Sequence, residues 1–439
     1  MEQTPSWGIE PVPDRYRVLG LLDTGLLWGN LGVSLLVIVA GALLVPALSL
    51  PNALVAVVVG AALGNLMLGI AGMIGADARV PAMVLMRAPL GQRGSWVPTA
   101  LNVLQCLGWA VFELIIIATA AAALSDSIFD FEGRWIWTLL FGTIAVVLGL
   151  MGPVGVVRRI LRKYAVWIVL ASLAYLTWWA LDAVSLSGLW DEPGAGGLTT
   201  WQGIDLVVGI TVSWIPLAAD YTLFSSNRRA GLLGTGIGYL VPSVWMLVLG
   251  VLLVLGRDIA DAAALPAAVA AAGLASGVAL LAVTVDETDE AFANIYSAAV
   301  SLQNVLTRVP QRLLVGTVGA VATFGALVLE ISDYEAFLYL LGSFFVPLFA
   351  VLLADWLVAG RRYDRSRVFE SARVRPSLLA AWLGGFALYQ WLYPNGPSWW
   401  VELVGRLDPP TWGIGATIPS FALSFCLGLA AATLTTKPS

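Results

Sequence analysis

Histidine is missing from all 439 residues, so any proton relay in this chain has to run through carboxyl groups. Cysteine is nearly missing too. Cys106 and Cys426 both fall inside apolar segments, which excludes a disulfide framework and leaves buried free thiols as the expectation. Charge is scarce at 12% of residues, while 59% are hydrophobic. A soluble domain carries roughly 25% charged residues, so a soluble enzyme is excluded and much of the surface must face lipid. With a net charge of −5, nucleic acid is not an expected partner; the bilayer is. The first twenty residues hold Glu2, Glu10, Asp14, Arg15 and Arg17 and lack the order of a cleaved signal peptide, so the first helix is expected to be retained.

What is present is a succession of apolar runs of the ~20 residues that cross a bilayer. They predict an all-α membrane protein with twelve spans, near 21–45, 51–75, 97–124, 134–152, 165–184, 203–223, 231–255, 275–306, 312–330, 334–358, 377–393 and 414–434. Residues 1–439 then form a single polytopic domain. Of the 23 lysines and arginines, only Arg134, Arg257 and Arg406 fall on the outer side of this register, and the other twenty fall on the inner side. Asp126, Asp130, Glu132, Asp191, Glu192, Asp258, Asp261, Glu330 and Asp333 collect outside. The bias predicts a plasma membrane protein with both termini in the cytoplasm. Asp261 to Leu274 is too short to cross and reads as an external helix over the entrance.

Two spans look interrupted. Span one contains Trp28-Gly29-Asn30-Leu31-Gly32-Val33-Ser34, where backbone hydrogen bonds can open. Span six contains Ser213-Trp214-Ile215-Pro216, and a mid-span proline frees backbone groups. Breaks at equivalent places five spans apart point to an inverted repeat with its binding site at the midplane. Glycine also serves close packing, the reading given to Gly60-x-x-x-Gly64.

Ionisable groups within lipid cost ~2.5–3.5 kcal/mol each on insertion scales, so those present need a cavity, a partner or a proton. Glu113 lies one turn past Trp109 and on the same face, beside Phe112. A ring stacked on that indole could bond the carboxyl, which when protonated donates to a ring nitrogen and accepts from an exocyclic amine. Asp286-Glu287-Thr288-Asp289-Glu290 places four carboxylates within an apolar span, where either some carry protons or a cation sits among them. Asp220, near the inner end of span six, reads as structural.

At Leu27 to Gly32, Val80 to Ser95, Gly108-Trp109, Ser213 to Tyr221, Asn294 to Ser297 and Tyr334 to Asp355, the chain resembles the nucleobase:cation symporter-1 family of cytosine, purine and hydantoin permeases. Ser213 to Tyr221 and Phe337 to Leu348 are most similar to a branch linked to hydroxymethylpyrimidine and thiamine supply. The resemblance implies a leucine-transporter-like five-plus-five inverted repeat, about 21–184 and 203–358, plus two C-terminal helices at about 377–434. It implies a substrate ring clamped between Trp109 and Trp214, with Glu113, Phe112, Ser213, Asn30 and Gly32 around it. Sodium-coupled relatives use carbonyls of span one, here near Gly29 and Ser34, and two hydroxyl residues of span eight that correspond to Asp289 and Glu290. Carboxylates at those positions, with Asp286 nearby, fit either Na⁺ or H⁺. Leu223 is a second departure, since relatives commonly carry arginine there.

The expectation is a symporter, with no cofactor and no enzymatic activity, importing a small planar nitrogen heterocycle such as hydroxymethylpyrimidine. A cytosine, purine, hydantoin or thiamine permease remains open, as do an amino-acid or amine carrier of the same fold and a channel.

Overall fold

The computed structural model describes residues 8–156, 166–182, 185–257, 259, 268–269, 273–329, 334–408, 410 and 413–435. Most of the external helix expected at Asp261 to Leu274 lies outside these residues, as do Arg158, Arg159, Arg162, Lys163, Lys437, Asp258, Glu330 and Asp333.

The described chain is helical throughout. In order, the helices are α1 (Leu21–Leu31), α2 (Leu35–Ala42), α3 (Leu50–Ala78), α4 (Ala82–Leu85), α5 (Arg87–Leu90), α6 (Trp96–Phe129), α7 (Arg134–Val156), α8 (Val166–Asp182), α9 (Leu186–Asp191), α10 (Thr200–Val212), α11 (Ile215–Thr222) and α12 (Thr235–Arg257). There follow α13 (Leu274–Asp286), α14 (Thr288–Leu302), α15 (Gln311–Val328), α16 (Tyr334–Val358), α17 (Arg365–Phe369), α18 (Pro376–Leu392), α19 (Ser398–Gly405) and α20 (Thr417–Thr435). Among the described residues eight helices are long and apolar enough to cross a membrane, or nine if the bent pair α1 and α2 counts as one span. The chain is a multi-pass membrane protein. Leu66, Trp167, Val241, Leu313 and Phe324 are all more than half exposed, which is stable only against lipid.

The first break comes between α1 and α2, where the axis bends by 57°. Gly32 ends α1, and Ser34 starts α2 as its N-cap, its side chain accepting from Leu36 N–H at 3.2 Å. Gly29 lies inside α1, not in the opened segment. A side chain on Gly32 would come within 2.8 Å of Pro242, so that glycine serves the close approach of α12, whereas one on Gly29 would meet Gly238 O at an ordinary 3.4 Å.

The second break lies at Ser213 and Trp214. α10 opens with a full capping box between Thr199 and Gln202, and Pro216 sits in the first turn of α11, where its missing N–H is harmless. The Thr200–Thr222 pair is the most enclosed of the membrane segments, 94% buried, against 33% for Arg134–Val154. Lipid therefore touches α7 while protein surrounds α10 and α11.

One further helix boundary was not expected. The run 275–306 reads as one span in sequence, yet it divides at Glu287 into α13 and α14. The boundary is a single turn residue: Glu287 N–H still donates to Val283 O and its carbonyl accepts from Ala291 N–H, so the helical ladder runs on while its side chain bonds α2, as described below.

α1 and α2 pack on α12, while α10 and α11 pack on α3. In a second group, α14 packs on α6 and α7, and α15 on α6, α7 and α14. α16 joins α10 to the C-terminal helices α18 and α20. Cys106 is buried, but Cys426 is exposed on α20, because that turn of the helix faces outward.

Candidate functional site

Where the broken helices meet α6 and α14 lies a narrow cavity of ≈ 10 Å³, room for about one water. Its walls bring together Trp109 and Glu113 from α6, Ser213 and Trp214 from the α10–α11 break, Ser34 from the α1–α2 break, and Glu290 and Asn294 from α14. Tyr239 and Tyr334 complete it. Each indole is held by aromatic edges. Trp214 meets Trp28 edge-on at 5.8 Å and donates from Nε1 to Tyr239 Oη at 3.0 Å. Trp109 meets Phe337 at 5.3 Å and Tyr334 at 5.9 Å. Such edge-to-face pairs fix ring orientation and leave a face free.

The polar groups are sparse. Glu113 is fully buried; its Oε1 accepts from Asn294 Nδ2 at 2.8 Å, and its Oε2 has no partner among the described residues. Trp109 Nε1, Glu290 Oε1 and Asp289 Oδ1 are likewise buried and unpartnered. An orphaned polar atom in a buried site costs roughly 1–3 kcal/mol, which a ligand that bonds it would recover. Ser213 turns its hydroxyl back onto Ile210 O at 2.6 Å, so it offers the cavity little more than its backbone.

Beside the cavity, α14 is pinned to the first break. Glu287 accepts from Ser34 Oγ at 2.6 Å and from Leu35 N–H at 2.7 Å, placing a carboxylate on the N-terminus of α2 where the helix dipole favours it. Asn30 Nδ2 donates to Asp289 Oδ2 at 2.8 Å. Asn30 is thereby turned toward α14 and does not line the cavity, and neither do Gly29, Gly32 or Phe112. Phe112 stands behind Tyr334 and Phe337, at 6.3 and 5.4 Å, as a support for rings nearer the cavity. The Asp286 side chain lies outside those described. Among the described residues no group of three or more His, Cys, Asp or Glu side chains is arranged to hold a metal ion.

Of the lining residues, sequence reasoning passed over Tyr239, Tyr334 and Asn294 and the apolar Leu36, Val37, Ile210 and Leu217, as well as the pin made by Glu287. Tyrosines within apolar helices look like core, and nothing local tells which of four neighbouring carboxylates meets Ser34. Asp220 is structural: its Oδ1 accepts from Ala82 N–H at 2.8 Å and caps α4. Arg87 in the following turn grips Asn304, just past α14, through Nε at 2.6 Å and Nη2 at 2.8 Å.

Comparison with known proteins gives this arrangement its relatives. Residues 11–378 match the family described as permease for cytosine/purines, uracil, thiamine, allantoin. The chain is 25% identical to the cytosine permease of Escherichia coli K12 over 342 residues, covering 75% of this chain and 77% of that one. Over 211 residues it is 23% identical to the hydantoin permease of Microbacterium maritypicum, covering 47% and 42%. Among solved structures it is similar to Mhp1, a nucleobase-cation-symport-1 family transporter in a closed conformation with bromovinylhydantoin bound. There the TM-score is 0.82 at 18% identity, over 98% of this chain and 95% of the other. These relatives are permeases and transporters, not enzymes. On the match of its residues 11–378, the chain belongs to the nucleobase:cation symporter-1 family.

Proposed function

We propose that the protein is a secondary active symporter that imports a small planar nitrogen heterocycle, hydroxymethylpyrimidine or a related pyrimidine, together with Na⁺ or H⁺. The observation that carries this is one cavity lined by two indoles from different helices, Trp109 and Trp214, with a buried carboxyl group, Glu113, whose Oε2 lacks a partner among the described residues. A planar ring between two indoles gains ~0.5–1.5 kcal/mol per stacked pair beyond area burial, and Glu113 then chooses among rings by hydrogen bonding. The bromovinylhydantoin bound to Mhp1 is a planar nitrogen heterocycle of this kind.

The reading includes twelve spans, built as two inverted five-helix repeats and two further helices. Its support is a reciprocal contact pattern: the first broken span packs on the seventh, through α12, as the sixth packs on the second, through α3. In the same way α6 meets α15 and α14 meets α7, spans three with nine and eight with four. Inverted repeats exchange contacts in this way, and rocking one group against the other opens the midplane to alternate sides. Glu287, Asp289 and Glu290 are buried at the joint between the groups, so the coupling cation acts where that joint must loosen.

Uptake of labelled hydroxymethylpyrimidine into proteoliposomes tests the reading. Trp109→Ala and Trp214→Ala should each abolish uptake while the folded protein still elutes as a single species; normal uptake by either variant rejects the clamp. Imposing Na⁺ and pH gradients in turn identifies the coupling ion. Competition by cytosine, hydantoin and thiamine ranks the substrates, and thiamine is the specific rival, because buried carboxylates would suit its positive charge.

A further inference from the structure

At the end of the molecule opposite the acidic loops, residues 361–375 carry six arginines against two carboxylates, Asp364 and Glu370. Arg365 pairs with Glu10 at 2.9 Å and Arg375 with Asp355 at 2.7 Å. Among the described residues Arg361, Arg362, Arg367 and Arg373 form no ion pair. Between this segment and the end of α20 lies an open cleft of ≈ 620 Å³, lined by Ser366, Arg367, Ser371, Arg375, Ser377 and Thr435 among others.

We propose that this cleft binds the phosphate of an anionic phospholipid headgroup. Arg367 supplies an unpaired guanidinium at the wall. Among the described residues Ser371 Oγ is buried without a partner, and a phosphate oxygen would accept its hydrogen. Arg375 is already spent: Nη1 donates to Ala88 O and Asp355 at 2.7 Å each, and Nη2 to Thr435 Oγ1 at 3.2 Å, so it shapes the cleft and adds little free charge. Glu370 stands on the same wall and opposes a second negative charge, which favours a monoanionic phosphodiester over a free dianion.

The surroundings select a lipid over a soluble phosphate. The cleft sits where α20, long and apolar enough to cross a membrane, ends and α18 begins, and the end of a span is where headgroups lie. Val374 in its wall is 39% exposed and Leu434 beside Thr435 is 87% exposed, which leaves apolar surface for acyl chains next to the cationic wall. Its occupant would also steady the inner loop. Gln92 N–H donates to Ala372 O at 3.0 Å, Arg93 N–H to Arg373 O at 2.8 Å and Arg375 N–H to Leu90 O at 2.9 Å, so the cleft wall and the α5 turn move as one. Gly91 permits that docking, since with φ at +89° any side chain would strike Ala372 O.

The test is lipid retention by the purified full-length protein, read by native mass spectrometry after exchange into equal phosphatidylglycerol and phosphatidylcholine. A single guanidinium near a headgroup is worth about a fivefold preference. Wild type should hold phosphatidylglycerol at least that strongly, Arg367→Gln should lose most of the preference, and inorganic phosphate should not displace the lipid. Equal retention of the two lipids by wild type, or an unchanged ratio in Arg367→Gln, overturns the proposal. Displacement by inorganic phosphate makes the ligand a soluble anion and overturns it as well. None of these readings depends on which substrate the central cavity takes.

Discussion

Trp214 is fixed at both ends of its ring system, by the Trp28 edge at 5.8 Å and by the Tyr239 hydroxyl at 3.0 Å. Tyr239→Phe keeps the aromatic wall and removes the only hydrogen bond the indole nitrogen makes among the described residues. A buried donor left unpaired costs ~1–3 kcal/mol, so substrate binding by isothermal titration should weaken about tenfold. Unchanged affinity would mean that packing alone orients the ring. Glu113→Gln tests the opposite wall. The amide keeps the size and can still accept from Asn294 Nδ2, but it cannot carry the charge or the proton. The variant should therefore stay folded and change the ranking of competing heterocycles, and an identical ranking would remove Glu113 from recognition. Trp109 and Glu113 were legible because helical spacing alone puts them on one face. Tyr239 and Asn294 were not, since their roles depend on which helices meet, a fact of tertiary packing.

At the scale of helices, sequence marks interruptions well when they use glycine or proline, and it does not mark the contacts that side chains make across them. Pro216 announces the α10–α11 break, and Gly32 with Ser34 announces the bend after α1. The α13–α14 break has no such residue. Backbone bonds run on across it, from Glu287 N–H to Val283 O and from Ala291 N–H to Glu287 O, while the Glu287 side chain meets Ser34 and Leu35, some 250 positions away in the chain, so only the folded molecule displays that contact. Close packing was legible in the Gly60-x-x-x-Gly64 pair on α3, which faces α10: a Cβ on Gly64 would lie 2.7 Å from Thr211 Cβ, and one on Gly60 2.7 Å from Val207 Cβ. Gly64→Val should therefore cost ~1–3 kcal/mol by overpacking and lower the thermal midpoint of the detergent-solubilised protein. The shift should exceed that of Gly316→Val on α15, where a Cβ meets nothing within 4 Å. Equal shifts would show that helix propensity, not the α3–α10 contact, sets the cost.

For the whole molecule, the charge pattern along the chain makes a claim about sidedness that helix positions do not. Arg93, Arg228, Arg373 and Arg375 gather at one end of the fold: Arg228 reaches Asp77 at the end of α3 and the carbonyl of Arg361, and Arg93 bonds the backbone of Arg373. Asp130 and Glu132 lie at the far end of α6, 34 residues long and so ~50 Å away along its axis. Positively charged loops stay on the cytoplasmic side because translocating them against the membrane potential is unfavourable. Starting from a chain with Cys106 and Cys426 replaced by alanine, Glu132→Cys should react with a membrane-impermeant maleimide in intact cells, and Arg229→Cys should react only after permeabilisation. Both positions are exposed, so accessibility within the fold does not bias the comparison. The reverse pattern would put the phospholipid cleft in the outer leaflet and turn the proposed direction of transport around. Labelling of both positions from outside would break the alternation on which the count of twelve spans depends.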